Sequence, residues 1–199
     1  MRTSTRATVT ATGTLLLGTL TACSGGSGTE PDNQPAPSSR TSQASSGLSI
    51  AKPKNASAVP LCSLLPSEVA TSLGYQAQGQ KRENMLNSDA PPVCEWESPE
   101  NSATGVTMRV LDRRIADYYA NPSTWSDFQK LTIAGHPAVR ANQADPMKSG
   151  SCDIYLATRS DQMIASQVSV STAEVGKKDP CVAARKVLEA VVPTLPPAK

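Results

Sequence analysis

The sequence predicts an α+β fold: an antiparallel sheet of about six to seven strands, packed with two to three helices and stapled by two disulfides. Three observations carry this expectation. Alternating apolar/polar runs come in groups on short connections, which favours antiparallel pairing over strand–helix–strand crossovers. Helix signals stand at the start, the middle and the end of the globular part, not between every pair of strands. Cys62, Cys94, Cys152 and Cys181 all fall on apolar faces or helix starts.

The chain has 199 residues, the length of one domain, but only 38% are apolar and 4% aromatic, so part of it is not packed structure. Residues 1–22 read as a signal peptide: Arg2 and Arg6 precede the apolar run from Val9 to Leu20, which is too short to span a bilayer, a task that takes about 20 residues. The run ends in Leu20-Thr21-Ala22-Cys23, which resembles the lipobox of bacterial lipoprotein signal peptides. That resemblance implies a diacylglyceryl thioether on Cys23, a new N-terminus there and a third acyl chain; two or more chains anchor stably where one does not. The whole chain carries 19 Lys+Arg against 17 Asp+Glu; removing residues 1–22 takes away two arginines and no acid, leaving 17 of each. A neutral mature chain has no polybasic patch for nucleic acid or anionic lipid.

Residues 23–60 are rich in Ser, Gly, Pro, Thr and Gln and hold no aromatic, the composition of a disordered tether with an r.m.s. span of roughly 35 Å. Its Ser/Thr/Pro content also suits O-glycosylation. Residues 61–197 form the expected globular domain. Leu61-Cys62-Ser63-Leu64-Leu65-Pro66-Ser67-Glu68 opens a helix with Pro66 at its first position and Gly74 as its stop, and Leu65, Val69 and Leu73 share one face. Val93–Glu97 reads as a strand with Cys94 and Trp96 on one side and Glu95 and Glu97 on the other; Val106, Met108 and Val110 mark the next.

Residues 112–128 read as a helix anchored by Ile115, Tyr118, Tyr119 and Trp125 and broken at Pro122. Leu131 to Val139 reads as strand, tight turn, strand. Residues 151–158 and 163–170 follow as two more strands, with Cys152, Ile154 and Leu156 on one face of the first. Asp179-Pro180-Cys181 opens the last helix, Asp179 as N-cap and Pro180 at the first helical position, with an inner stripe of Cys181, Ala184, Leu188 and Val191. With Cys23 lipidated, four cysteines remain in an exported chain, an even number that reads as two disulfides. Three pairings are open. Cys62–Cys94 and Cys152–Cys181 is favoured, because each joins a terminal helix to a nearby strand across a loop of about thirty residues and is worth about 3–4 kcal/mol on the chain-entropy model. A four-thiolate zinc site or a redox dithiol needs closely spaced pairs that are missing here.

The lipobox, the Ser/Pro tether, Cys62-Ser63-Leu64-Leu65-Pro66-Ser67-Glu68, Val93-Cys94-Glu95-Trp96, Ile133-Ala134-Gly135-His136-Pro137-Ala138-Val139 and Asp179-Pro180-Cys181 together resemble an actinobacterial lipoprotein family, domain of unknown function 3558. The likeness covers nearly all of residues 61–195. More loosely, the chain is similar to the extracellular sensor domains of mycobacterial Ser/Thr kinases. The resemblance implies location, anchoring and fold, and no catalytic residue.

Residue by residue, enzymatic chemistry finds little footing. His136 is the only histidine and sits between Gly135 and Pro137, the context of a solvated hairpin turn, and there is no Gly-x-Ser-x-Gly elbow to present a nucleophile. Glu95 and Glu97 flank Trp96, a carboxylate pair beside an aromatic as in glycoside hydrolysis, but they read as the wet side of a strand. The expectation is therefore a non-enzyme without metal or cofactor. It sits at the cell membrane on the extracytoplasmic face, held by the Cys23 anchor, and binds an envelope protein or glycan. The alternative is a carrier or sensor of a small hydrophobic ligand. Tyr118, Tyr119 and Trp125 are the candidate ligand-binding residues for that alternative, where they would line a pocket for an apolar ligand; the other reading of the same cluster is that it fills the core.

Overall fold

The computed structural model describes residues 48–83 and 89–199; Cys23, the signal segment and the tether up to residue 47 lie outside the described residues. Seven strands form one sheet: β1 (Gln80–Arg82), β2 (Val93–Glu97), β3 (Gly105–Leu111), β4 (Asp127–Ile133), β5 (His136–Asn142), β6 (Ser151–Arg159) and β7 (Gln162–Ser169). Their order across the sheet is β1-β2-β3-β7-β6-β5-β4, and every neighbouring pair is antiparallel. The β6–β7 hairpin forms the middle of the sheet, and its residues are buried on both sides. β1–β3 and β4–β5 stand on opposite sides of that hairpin, so after β3 the chain must cross the sheet to start β4, and it does so through α2 (Ile115–Ala120).

Strand alternation sorts the apolar side chains onto two faces. On the first face Trp96, Val106, Met108, Ile154, Leu156, Ile164 and Val168 meet Leu64, Leu65 and the inner side of α4 (Pro180–Val191). Cys181, Ala184, Val187, Leu188 and Val191 are buried on that helix, so its expected stripe stands with Val187 added. On the second face Val139, Ala141, Tyr155, Ala157, Met163 and Ala165 meet Ile115 and Tyr118 of α2.

Both favoured disulfides are formed on the first face. Cys62, in a 3-10 turn over Leu61–Ser63, bonds to Cys94 of β2, and Cys152 of β6 bonds to Cys181 in the first turn of α4. With all four sulfurs paired, no thiolate is left among them for a metal. Gly79 lies against the first bridge so closely that a Cβ there would stand 2.5 Å from the Cys94 Sγ and 2.5 Å from the Trp96 ring.

Five sequence expectations are corrected. First, the ordered domain begins well before residue 61. The Lys54 amide donates to the Thr158 carbonyl at 2.8 Å, the Asn55 amide to Pro196 at 2.9 Å, and the Ala198 amide to Pro53 at 2.9 Å, so the entering chain is stitched to the leaving one. Ala56 is fully buried, its amide donating at 2.8 Å to the side-chain carbonyl of Gln162, while the Gln162 amide group donates to Ser57 Oγ, also at 2.8 Å. Composition counts apolar side chains; this segment is held mainly by its backbone, which composition does not register.

Second, α1 runs Ser67–Ser72 and Pro66 is its N-cap rather than its first residue. Third, the helix expected over 112–128 is only Ile115–Ala120, because Asn121 before Pro122 leaves the helical region (φ −128°, ψ 56°) and Asp127 and Phe128 already belong to β4. Fourth, a further one-turn helix, α3 (Pro146–Ser149), brings the count among the described residues to four, against two to three expected. Its Asp145 side chain caps the Met147 amide as Asp179 caps that of Cys181, so the Asp-Pro start signal was present twice. Fifth, His136 is not solvated. It is the first residue of β5, buried, with Nδ1 donating to the Ala157 carbonyl at 2.9 Å; the two turn residues proper are Ala134 (φ 49°) and Gly135 (φ 80°), both in the left-handed region that a two-residue hairpin needs.

Candidate functional site

The segment that crosses from β3 to β4 builds a chemically varied hollow. α2 presents Ile115 and Tyr118 toward the second face of the sheet at helical spacing, and the turn at Asn121-Pro122 folds Trp125 back over Tyr118. Tyr118 and Trp125 stack nearly parallel, with ring centroids 5.6 Å apart and an angle of 11° between planes. Tyr118 also leans on Tyr155 of β6 at 4.5 Å and 36°. Trp125 is therefore the outermost of three rings whose innermost member is anchored in the sheet.

Beside this stack opens a surface cleft of about 430 Å³, lined by Arg113, Asp117, Tyr118, Asn121, Thr124 and Trp125. Its polar groups are of every kind: a guanidinium, a carboxylate, an amide and a hydroxyl. Asp117 is shared with Arg114 at 2.7 Å, and the Asn121 side-chain amide donates to the Asp117 carbonyl at 3.1 Å, which fixes both side chains relative to the helix.

Beneath the rings the second face turns polar. Asp153 of β6 accepts from the Gln167 side-chain amide at 3.0 Å, and Arg109 of β3 lies 3.8 Å from its other oxygen. Burial pushes the Asp153 carboxyl above the ordinary carboxylate range, against the opposing pull of Gln167 and Arg109. Burial likewise raises the phenols of Tyr118 and Tyr155, and the neighbouring Asp153 adds to the shift at Tyr155. These rings stay neutral at any physiological pH and can serve as hydrogen-bond donors.

The three residues singled out from the sequence are divided. Tyr118 and Trp125 share the cleft. Tyr119 turns away: its hydroxyl donates to the Ala138 carbonyl at 2.9 Å, its ring carries the Lys130 ammonium 4.7 Å from the centroid, and it borders a different hollow with Leu48 and Pro137. Sequence reading missed Arg113, Asp117, Asn121 and Thr124. Only Asp117 stands on α2, while Arg113, Asn121 and Thr124 lie in the turns at its two ends, so no helical period marked them as a group. Glu95 lies 3.4 Å from Arg82 on the neighbouring strand, an ion pair at the sheet surface.

A second groove of about 460 Å³ runs between α1 and α4 over Leu73, Tyr75, Val182, Ala183 and Val187, with Lys178 and Lys186 on its rim. No helix among the described residues is long and apolar enough to cross a membrane.

Comparison with known proteins places the chain within one family. The model of a family described as "Protein of unknown function (DUF3558)" matches residues 18–194, and the chain belongs to that family. No curated protein matches it. Among solved structures, a GTP binding regulator from Thermotoga maritima is similar at 11% identity and a TM-score of 0.34, over 64% of this chain and 87% of that one. So slight a likeness bears on neither fold nor function.

Proposed function

We propose that this member of the DUF3558 family is a membrane-anchored, extracytoplasmic lipoprotein that acts by recognition rather than catalysis, binding a protein or glycan of the cell envelope. The observation that carries this reading is the Trp125 cleft, a rigid aromatic stack bordered by four different polar side chains at the protein surface. Anchoring is supported by Leu20-Thr21-Ala22-Cys23, and the family match begins at residue 18, immediately before that motif. Export is supported by two disulfides that suit an oxidising compartment. The actinobacterial setting rests on the sequence resemblance alone. The reading as a non-enzyme draws on His136, the one histidine, whose ring is buried with Nδ1 committed to a backbone carbonyl instead of facing a nucleophile.

The test is retention and location together. The tagged chain, incubated with envelope extract at several salt concentrations, should retain a defined component, and Trp125→Ala should release it. Cys23→Ala should move the protein from the membrane fraction to the medium. A wild-type chain that retains nothing overturns recognition, and a Cys23→Ala chain that stays with the membrane overturns the anchor.

The alternative, a carrier or sensor of a small hydrophobic ligand, draws on the apolar floor of the α1–α4 groove. Native mass spectrometry of the chain purified from its own host distinguishes the two readings by an added mass.

A further inference from the structure

We propose that the Trp125 cleft is a saccharide subsite, in which the exposed side of the Trp125 ring supports the apolar face of a sugar while Arg113, Asp117, Asn121 and Thr124 hydrogen-bond its hydroxyls. The proposal deepens the recognition reading above and rests on it. A pyranose has two demands that few other ligands combine. Its C–H face packs against the negative face of an aromatic ring, and its rim of hydroxyls needs donors and acceptors side by side.

The cleft meets both. Trp125 is held in orientation by Tyr118 at 5.6 Å, and Tyr118 by Tyr155 at 4.5 Å, so little side-chain freedom is lost when a ring settles on it. Along the edge, Asp117 only accepts, Arg113 only donates, and Asn121 and Thr124 do both. About 430 Å³ lies within the usual range of small-ligand sites.

The same inventory argues against other occupants. A phosphate or polyanion would gain Arg113 but face the Asp117 carboxylate across the cleft. An acyl chain would cover Arg113, Asn121 and Thr124 without offering them a partner, which costs free energy for each polar group desolvated. The mature chain's equal count of acids and bases provides no long-range pull on a charged ligand, and a neutral glycan needs none.

The chain supplies its own probe. It has two tryptophans, and Trp96 is fully buried, so acrylamide quenching reports on Trp125. The intact, disulfide-bonded chain is titrated with chitotetraose, cellotetraose and a linear mannotetraose, each up to about 10 mM, a ceiling that still detects a Kd near 1 mM. At least one sugar should shift the emission saturably and shield Trp125 from acrylamide. By calorimetry, Trp125→Ala should abolish the binding, Trp125→Phe should retain it more weakly, and Asn121→Ala should weaken it by about tenfold, all three with a thermal midpoint close to wild type. The proposal is overturned if none of the three sugars binds, if binding survives Trp125→Ala unchanged, or if decanoate and not a sugar shields the ring. Should all three sugars fail while the extract still yields a partner released by Trp125→Ala, the recognition reading stands and the saccharide subsite alone falls.

Discussion

The two faces of the sheet are built to different ends. The first is closed by the twelve residues of α4 and by the turns and short helix that precede β1; it contains both disulfides and the fully buried Trp96, Met108, Leu156, Ile164 and Leu188. The second is covered only in part, by the six residues of α2 and by Trp125, and the rest of it carries Arg109, Asp153 and Gln167. A dry, cross-linked face can hold the fold, which leaves the other free to keep polar groups and rings near water. On the proposed reading, stability and recognition are separated by the thickness of one sheet.

The strongest way to break that division is to reduce the disulfides. Each closes a loop of about thirty residues and contributes about 3.5–4 kcal/mol on the chain-entropy account, a large share of the ~5–15 kcal/mol that holds a domain of this size. Thermal melts with and without reductant should show the midpoint falling by well over ten degrees. A melt that reductant leaves unmoved would locate the stability elsewhere. Next in size is Gln162→Leu, which leaves the buried Ala56 amide without an acceptor and the Thr158 hydroxyl without one of its partners. A loss of about 2–3 kcal/mol is expected, with faster hydrogen exchange at residues 54–56. Unchanged exchange at Ala56 would show that the entering segment is held without the glutamine.

The smallest effect sharpens the contrast from the second face. Tyr118 and Tyr155 have phenols raised above their ordinary value of 10.0 by burial. Below about pH 10 their contribution to stability is complete. Above it the unfolded chain releases protons that the folded chain keeps, so stability falls with rising pH by up to about 1.4 kcal/mol per unit for each group. Urea midpoints at about pH 8 and pH 10.5 should differ accordingly, and Tyr155→Phe should narrow the difference. Equal narrowing is not expected from Tyr119→Phe, whose ring is more exposed.

Much of the fold is legible before any coordinates. β2, β3, β6 and β7 show themselves by alternation, because each is buried on one or both faces and a buried face repeats every second residue. β1 escapes that reading: Gln80, Lys81 and Arg82 are all exposed, as befits a short, charged edge strand, and an edge with no buried face leaves no pattern. Of the site, the rings of Tyr118 and Trp125 were readable because aromatics are scarce in this chain. Their polar neighbours were not, since Arg113, Asn121 and Thr124 lie in turns and Asp117 on a short surface helix, and such residues look alike whether they line a cleft or merely face water.

The amino-acid sequence alone determined the pairing preference of the four cysteines, the grouping of strands and the caps of the last helix, and it alone carries the lipobox-like motif Leu20-Thr21-Ala22-Cys23. Each depends on residues close in the chain or on a period that survives in one dimension. Only the tertiary structure decided that residues 53–57 are stitched to Thr158, Gln162 and Pro196, that His136 is buried rather than wet, and that Tyr119 parts company with Tyr118. Those outcomes depend on backbone groups and on neighbours distant in sequence, and a backbone amide reads the same at every position until a partner is brought to it.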